Sequence, residues 1–146
     1  MAIKVMAFML VTAQFTLLGY LIADTSVNIL PLPSLIFFLL SFILAAWSVS
    51  VMMKTKLRVT PVPAKDACLV ADGPYRFIRH PMYTSVLLAV SGLLIMHFSY
   101  FRFLLAVILF VVLFIKLHWE EKMLSEKFTG YRLYKQHTRK LIPYLY

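Results

Sequence analysis

One cysteine, four glycines and six acidic side chains are all that 146 positions hold of those types. The lone Cys68 has no partner in the chain, which excludes an intrachain disulfide and a metal site of the Cys-x-x-Cys kind; no metal is expected. Charge is scarce as well, at 14% of residues, while 62% are hydrophobic. Soluble domains average about 25% charged and roughly 45–50% apolar, so an ordinary water-soluble globule is excluded. The imbalance of fifteen basic against six acidic residues leaves a formal charge of +9. A nucleic-acid groove does not follow, because these cations flank hydrophobic runs rather than gather on a soluble face.

What is present is long apolar sequence. Spans are expected at about residues 3–23, 31–53, 81–98 and 103–117, with a central loop at 54–79 and a tail at 118–146, all within a single membrane-embedded domain. The first run has one lysine before it and no small-residue cleavage pattern, so it reads as a retained helix rather than a signal peptide. Pro31 and Pro33 suit the start of the second helix, where the missing N–H is not needed. The central loop holds six basic residues, three prolines and Gly73, and its backbone cannot face lipid. After Ile115 the chain turns charged and aromatic, and Trp119, Leu124, Phe128, Tyr131 and Tyr134 recur as in an amphipathic helix lying at the membrane surface. The fold class is therefore all-α and integral to a membrane, with about four transmembrane helices and a C-terminal amphipathic helix.

Fourteen of the fifteen lysines and arginines fall on one side of these spans, Arg102 alone lying opposite. The positive-inside rule then puts both termini, the central loop and the tail in the cytoplasm. On that side two polar groups face each other across a helical hairpin. Tyr75, Arg79, His80 and Tyr83 stand where the third helix begins; Lys116, His118, Glu120 and Glu121 stand where the fourth ends. Ionisable groups at span ends that converge in this way mark a functional site by default. Read singly, the basic residues and tyrosines are ordinary interfacial anchors. Glu120 and Glu121 are neighbours about 100° apart on a helix, so they cannot share one role.

The stretch Leu69-Val70-Ala71-Asp72-Gly73-Pro74-Tyr75, followed by Arg79-His80-Pro81-Met82-Tyr83, resembles the LV-x-x-G-x-Y…RHP-x-Y signature of the isoprenylcysteine carboxyl methyltransferase family, itself related to membrane phospholipid N-methyltransferases. Glu120-Glu121-Lys122-Met123-Leu124, then Phe128, Tyr131, Tyr134 and Ile142-Pro143, is similar to that family's second motif. The resemblance covers roughly residues 60–143. It implies S-adenosylmethionine as cofactor, contacted by Ala67, Leu69, Val70, Tyr75, His80, Pro81, Met82, Tyr83 and Glu120, with Glu121 beside it. It also implies a lipophilic or lipidated acceptor met by Lys116, with Arg79 as a second orienting cation. Lys116 stands where carboxyl-methylating members carry arginine, and the family's Phe-Gly pair reads Phe128-Thr129-Gly130. A Gly-x-Gly of the phospholipid methyltransferase type is missing, only Gly73 being present near the loop, which weakens that alternative. A membrane reductase using a nicotinamide dinucleotide phosphate, and a non-catalytic scaffold or transporter component, are the readings from other classes.

Overall fold

The computed structural model describes residues 2–25, 30–53 and 69–143. Four apolar helices form the body: α1 (Ala2–Ala23), α2 (Leu32–Met53), α3 (Pro81–Met96) and α4 (Tyr100–Lys127). A short 3₁₀ turn (Gly73–Arg76) precedes α3, and a two-turn helix α5 (Tyr131–His137) follows α4. At 1.5 Å per residue α1 and α2 are each about 33 Å long, enough for a hydrocarbon core of about 30 Å. Three helices, α1, α2 and α4, are long and apolar enough to cross a membrane, and α3 is a shorter apolar helix. The all-α membrane architecture expected from the sequence is the architecture found.

Each helix begins and ends where local chemistry says it should. Proline occupies the first turns of α2 and α3. Ser99 caps α4, its hydroxyl accepting from the Arg102 backbone N–H at 3.2 Å. At the end of α1 the Thr25 hydroxyl donates to the Leu21 carbonyl at 2.7 Å. The fourth helix runs further than the expected 103–117, because nothing between Ile115 and Lys127 breaks a helix. The single surface helix expected after Ile115 is instead split. Trp119 and Leu124 continue α4, whereas Tyr131 and Tyr134 sit on α5 after a turn at Phe128–Gly130.

The helices pair as α2 with α3 and α1 with α4, and the two pairs meet more lightly through α3. Gly92 allows the first pairing, since a Cβ there would lie 2.8 Å from the Phe38 ring. Leu21, Val90, Leu93, Leu109, Leu113 and Leu117 form the centre of the bundle, with Tyr83 and Leu141 closing one end. The large apolar side chains turned outward, among them Phe8, Phe42, Ile43 and Phe101, are those a lipid phase solvates.

Candidate functional site

The loop before α3 is built to hold a fixed shape. Gly73 has φ of +58°, a conformation that suits glycine, and a Cβ there would approach Val51 Cγ2 to 2.7 Å. Loop and α2 are thereby pressed together. From Phe77 to His80 the backbone then pairs with the C-terminal segment: Arg79 N–H donates to the Arg139 carbonyl at 2.7 Å, His80 N–H to Lys140 at 3.1 Å, and Arg139 N–H to Phe77 at 3.1 Å. Further out, the Thr84 hydroxyl donates to the Leu141 carbonyl at 2.7 Å and the Tyr134 hydroxyl to the Tyr75 carbonyl at 2.6 Å. The C-terminal segment is thus a strap across the start of α3.

Inside this strap lies a group of buried charges. Arg79 Nε meets Glu121 Oε1 at 2.6 Å, and its Nη1 donates to the carbonyls of Lys135 and Thr138. Lys135 reaches the other oxygen of Glu121 at 3.3 Å. His80 stands between the two glutamates, its Nδ1 at 3.6 Å from Glu120 and its Nε2 at 3.6 Å from Glu121. Both distances exceed a hydrogen bond, and His80 Nε2 is buried without a hydrogen-bond partner. Burial works against the imidazolium, but the two carboxylates outweigh it and hold the His80 pKa above its ordinary value. Burial, with the charge of Glu120 adding to it, pushes the Tyr75 hydroxyl up to about 12.

A cavity of about 330 Å³ opens beside this group, within the roughly 300–1,000 Å³ usual for small-molecule sites. Leu69, Val70, Tyr75, Arg79, His80, Pro81, Met82, Tyr83, Lys116 and Glu120 all line it. The sequence candidates on the loop, α3 and α4 therefore come together around one space. Glu121 does not line it; that carboxylate lies behind the wall and holds Arg79, Lys135 and His80 in place. Arg79 reaches the wall with its Nε and Nη1 already engaged. Ala67 lies outside the described residues.

Other lining residues escaped the sequence reading. Tyr131 and Tyr134 belong to the amphipathic stripe and to the second motif, neither of which gives them a place in the site, yet both line the cavity, and the buried Tyr131 hydroxyl has no hydrogen-bond partner. From α1 come Val11, Gln14, Phe15 and Leu18, spaced to share one helix face. The signal for Gln14 was its amide within an apolar span, where a polar side chain needs a buried partner. That partner is Lys116, whose Nζ donates to Gln14 Oε1 at 3.0 Å and lies 4.9 Å from the centre of the Tyr83 ring.

The structure is thus a helical membrane bundle with a mostly apolar cavity, part of whose wall is a buried histidine–glutamate group. The chain belongs to the phospholipid methyltransferase family, which it matches over residues 31–130. It is thereby a membrane methyltransferase by family, and members of this family generally use S-adenosylmethionine. Neither the curated proteins nor the solved structures include a match to the chain. The family found is the one against which the missing Gly-x-Gly weighs. The match takes in α2, α3 and α4 but neither α1 nor the strap, so Gln14, Tyr131 and Tyr134 belong to walls outside it.

Proposed function

We propose that this protein transfers a methyl group from S-adenosylmethionine to a lipid-soluble acceptor that enters the cavity sideways from the bilayer, in the manner of an isoprenylcysteine carboxyl methyltransferase. The observation that carries the reading is that His80, Tyr131 and Glu120 line one cavity, with His80 Nε2 and Tyr131 Oη buried without hydrogen-bond partners. Adenosylmethionine has a carboxylate, an ammonium, a ribose diol and an adenine, and this donor and acceptor set fits it. His80 and Tyr131 donate to a carboxylate, and Glu120 accepts from an ammonium or from ribose hydroxyls. Leu69, Val70 and Met82 offer an apolar sleeve for a base, and the faces of Tyr75 and Tyr83 favour a nearby cation.

When bound, the cofactor supplies a methyl carbon whose bond to sulfur breaks as its bond to the acceptor forms, leaving S-adenosylhomocysteine. The task of the chain is then to align and to exclude water. Lys116 holds the acceptor's anionic group, while Val11, Phe15, Leu18 and Val86 line the apolar part that takes its hydrocarbon. A carboxylate acceptor needs no base. Arg79 acts through its neighbours, fixing the loop that presents His80. The single domain, the cytoplasmic side of the site and the inward position of both termini are part of the same proposal, supported by the fourteen cations on that side.

The family match favours a second reading in which the acceptor is a phospholipid amine. There Lys116 would take the lipid phosphate and Glu120 the proton that an ammonium must lose before it can accept a methyl. Calorimetric titration of S-adenosylhomocysteine into the purified protein, with a nicotinamide dinucleotide phosphate in parallel, tests the common core. Saturable binding of the first alone is the expected result, and binding of the second alone overturns the methyltransferase reading. Labelled methyl transfer to a farnesylcysteine carboxylate, set against phosphatidylethanolamine vesicles, then separates the two acceptors.

A further inference from the structure

Lysines near the end of a membrane helix ordinarily extend toward the interface, where the ammonium finds water. Lys116 does the opposite. It lies about three turns before the end of α4, is only 5% exposed, and reaches sideways to Gln14 near the middle of α1. The direction agrees with helix geometry, since side chains lean toward the N-terminus of their own helix. No carboxylate lies within ion-pair distance of Lys116 among the described residues, Glu120 one turn further on included. An ammonium has three donors, and one of them is spent on Gln14.

Gln14 is the other half of the arrangement. It is 6% exposed in an otherwise apolar segment, and its carbonyl oxygen is aimed at Lys116, because an ammonium cannot accept a hydrogen bond. The amide adds no charge. It holds the cation in place without neutralising it, which a glutamate at the same position could not do. A buried cation on which Glu120 acts only from beyond ion-pair distance is incompletely compensated, so an arrangement that fixes it beside a cavity is suited to an anion that arrives with a ligand.

We propose that Gln14 is a positioning residue that holds the Lys116 ammonium in the bilayer half of the cavity as the seat for the acceptor's anionic group, and so sets which headgroups are accepted. This rests on the methyltransferase reading and adds to it a determinant on α1, a helix outside the family match. The two halves of the cavity then have separate duties: His80, Glu120 and Tyr131 serve the cofactor, while Gln14 and Lys116 serve the acceptor.

The test uses the full chain in phosphatidylcholine nanodiscs, with myristate as a carboxylate probe, myristyl alcohol as its uncharged control and S-adenosylhomocysteine titrated separately. The wild-type protein is expected to bind myristate at least tenfold more tightly than the alcohol. Gln14→Leu should weaken myristate binding about fivefold with the alcohol unchanged. Gln14→Glu, which supplies its own counterion, should abolish the preference as completely as Lys116→Met. Affinity for S-adenosylhomocysteine should stay within twofold in all three. A preference that survives both Gln14 variants, or is absent from the wild type, overturns the proposal. So does a loss of S-adenosylhomocysteine binding in the variants, with or without loss of myristate binding, because it would assign the pair to the cofactor or to structure. A wild-type protein that binds myristate in the expected pattern and S-adenosylhomocysteine not at all would sink the methyltransferase reading alone.

Discussion

The two ends of the bundle each bury an arginine, and they use it differently. Arg102, at the first turn of α4, is 1% exposed and gathers the ends of two other helices. Its guanidinium donates to the carbonyls of Leu21 and Asp24 at the end of α1, to the Thr25 hydroxyl, and to the Leu93 carbonyl and His97 Nδ1 at the end of α3. Carbonyls left over at helix C-termini carry partial negative charge, and a cation placed there satisfies them. Arg79 is also spent on carbonyls and a carboxylate, but it stands among residues that line a cavity, where His80 Nε2 and Tyr131 Oη have no hydrogen-bond partner. One end uses its arginine to join helices, with Arg102 Nε alone left without a hydrogen-bond partner; the other uses an arginine as a frame beside a cavity. A polar cluster in a membrane bundle is thus not by itself a site. The cavity beside the second cluster makes the difference.

The largest effect that would test this contrast is expected at Arg102. Arg102→Met removes the donors that tie the ends of α1 and α3 to the start of α4 and should lower stability by about 3 kcal/mol. In thermal unfolding the midpoint should fall well below that of the wild type, while S-adenosylhomocysteine affinity, measured where the variant is still folded, should change less than twofold. A variant that unfolds normally but has lost affinity would erase the distinction between the two ends. The converse is expected at Glu120, whose carboxylate lines the cavity and lies against His80 and Tyr83. Glu120→Ala should weaken S-adenosylhomocysteine by about 10- to 100-fold, equivalent to ~1.4–2.7 kcal/mol, with the unfolding midpoint nearly unchanged. Normal affinity there would remove the carboxylate from the cofactor's set of contacts.

Much of the site was legible in the sequence, because it falls in two compact motifs whose helical hairpin brings them together. Tyr75, His80, Tyr83, Lys116 and Glu120 line one cavity as their placement at facing span ends implied. The separate roles of Glu120 and Glu121 also follow from the helical angle between neighbours: one reaches the cavity and the other turns to Arg79. What was not legible depends on long-range packing. Gln14 is separated from Lys116 by most of the chain, and no local pattern records that α1 lies along α4. Arg102, read only as the one cation on the wrong side, is a buried staple because three helix ends happen to converge on it. The strap likewise rests on backbone pairing between Phe77–His80 and Arg139–Lys140 and on side chains that reach distant carbonyls, which leaves no periodic trace in the sequence.

The smallest effect sharpens the role of the frame itself. His80 is faced by Glu120 and Glu121 from α4, stacks on Tyr83 at 5.3 Å, and lies next in the chain to the Arg79 guanidinium, so its proton is held chiefly by the two carboxylates. Its pKa in the folded protein lies above the ordinary 6.5, and the imidazolium therefore stabilises the folded state fully below pH 6.5. That contribution is lost as pH rises through the raised value. An imidazolium also binds a carboxylate more strongly than a neutral ring does, so S-adenosylhomocysteine affinity should decline severalfold over the same interval. Glu121→Gln removes one of the two carboxylates that hold the proton and should move the decline to lower pH. His80→Gln should flatten it. A decline that stays where it was in Glu121→Gln would mean that Glu121 serves only Arg79 and Lys135, and that the frame does not reach the cofactor through His80.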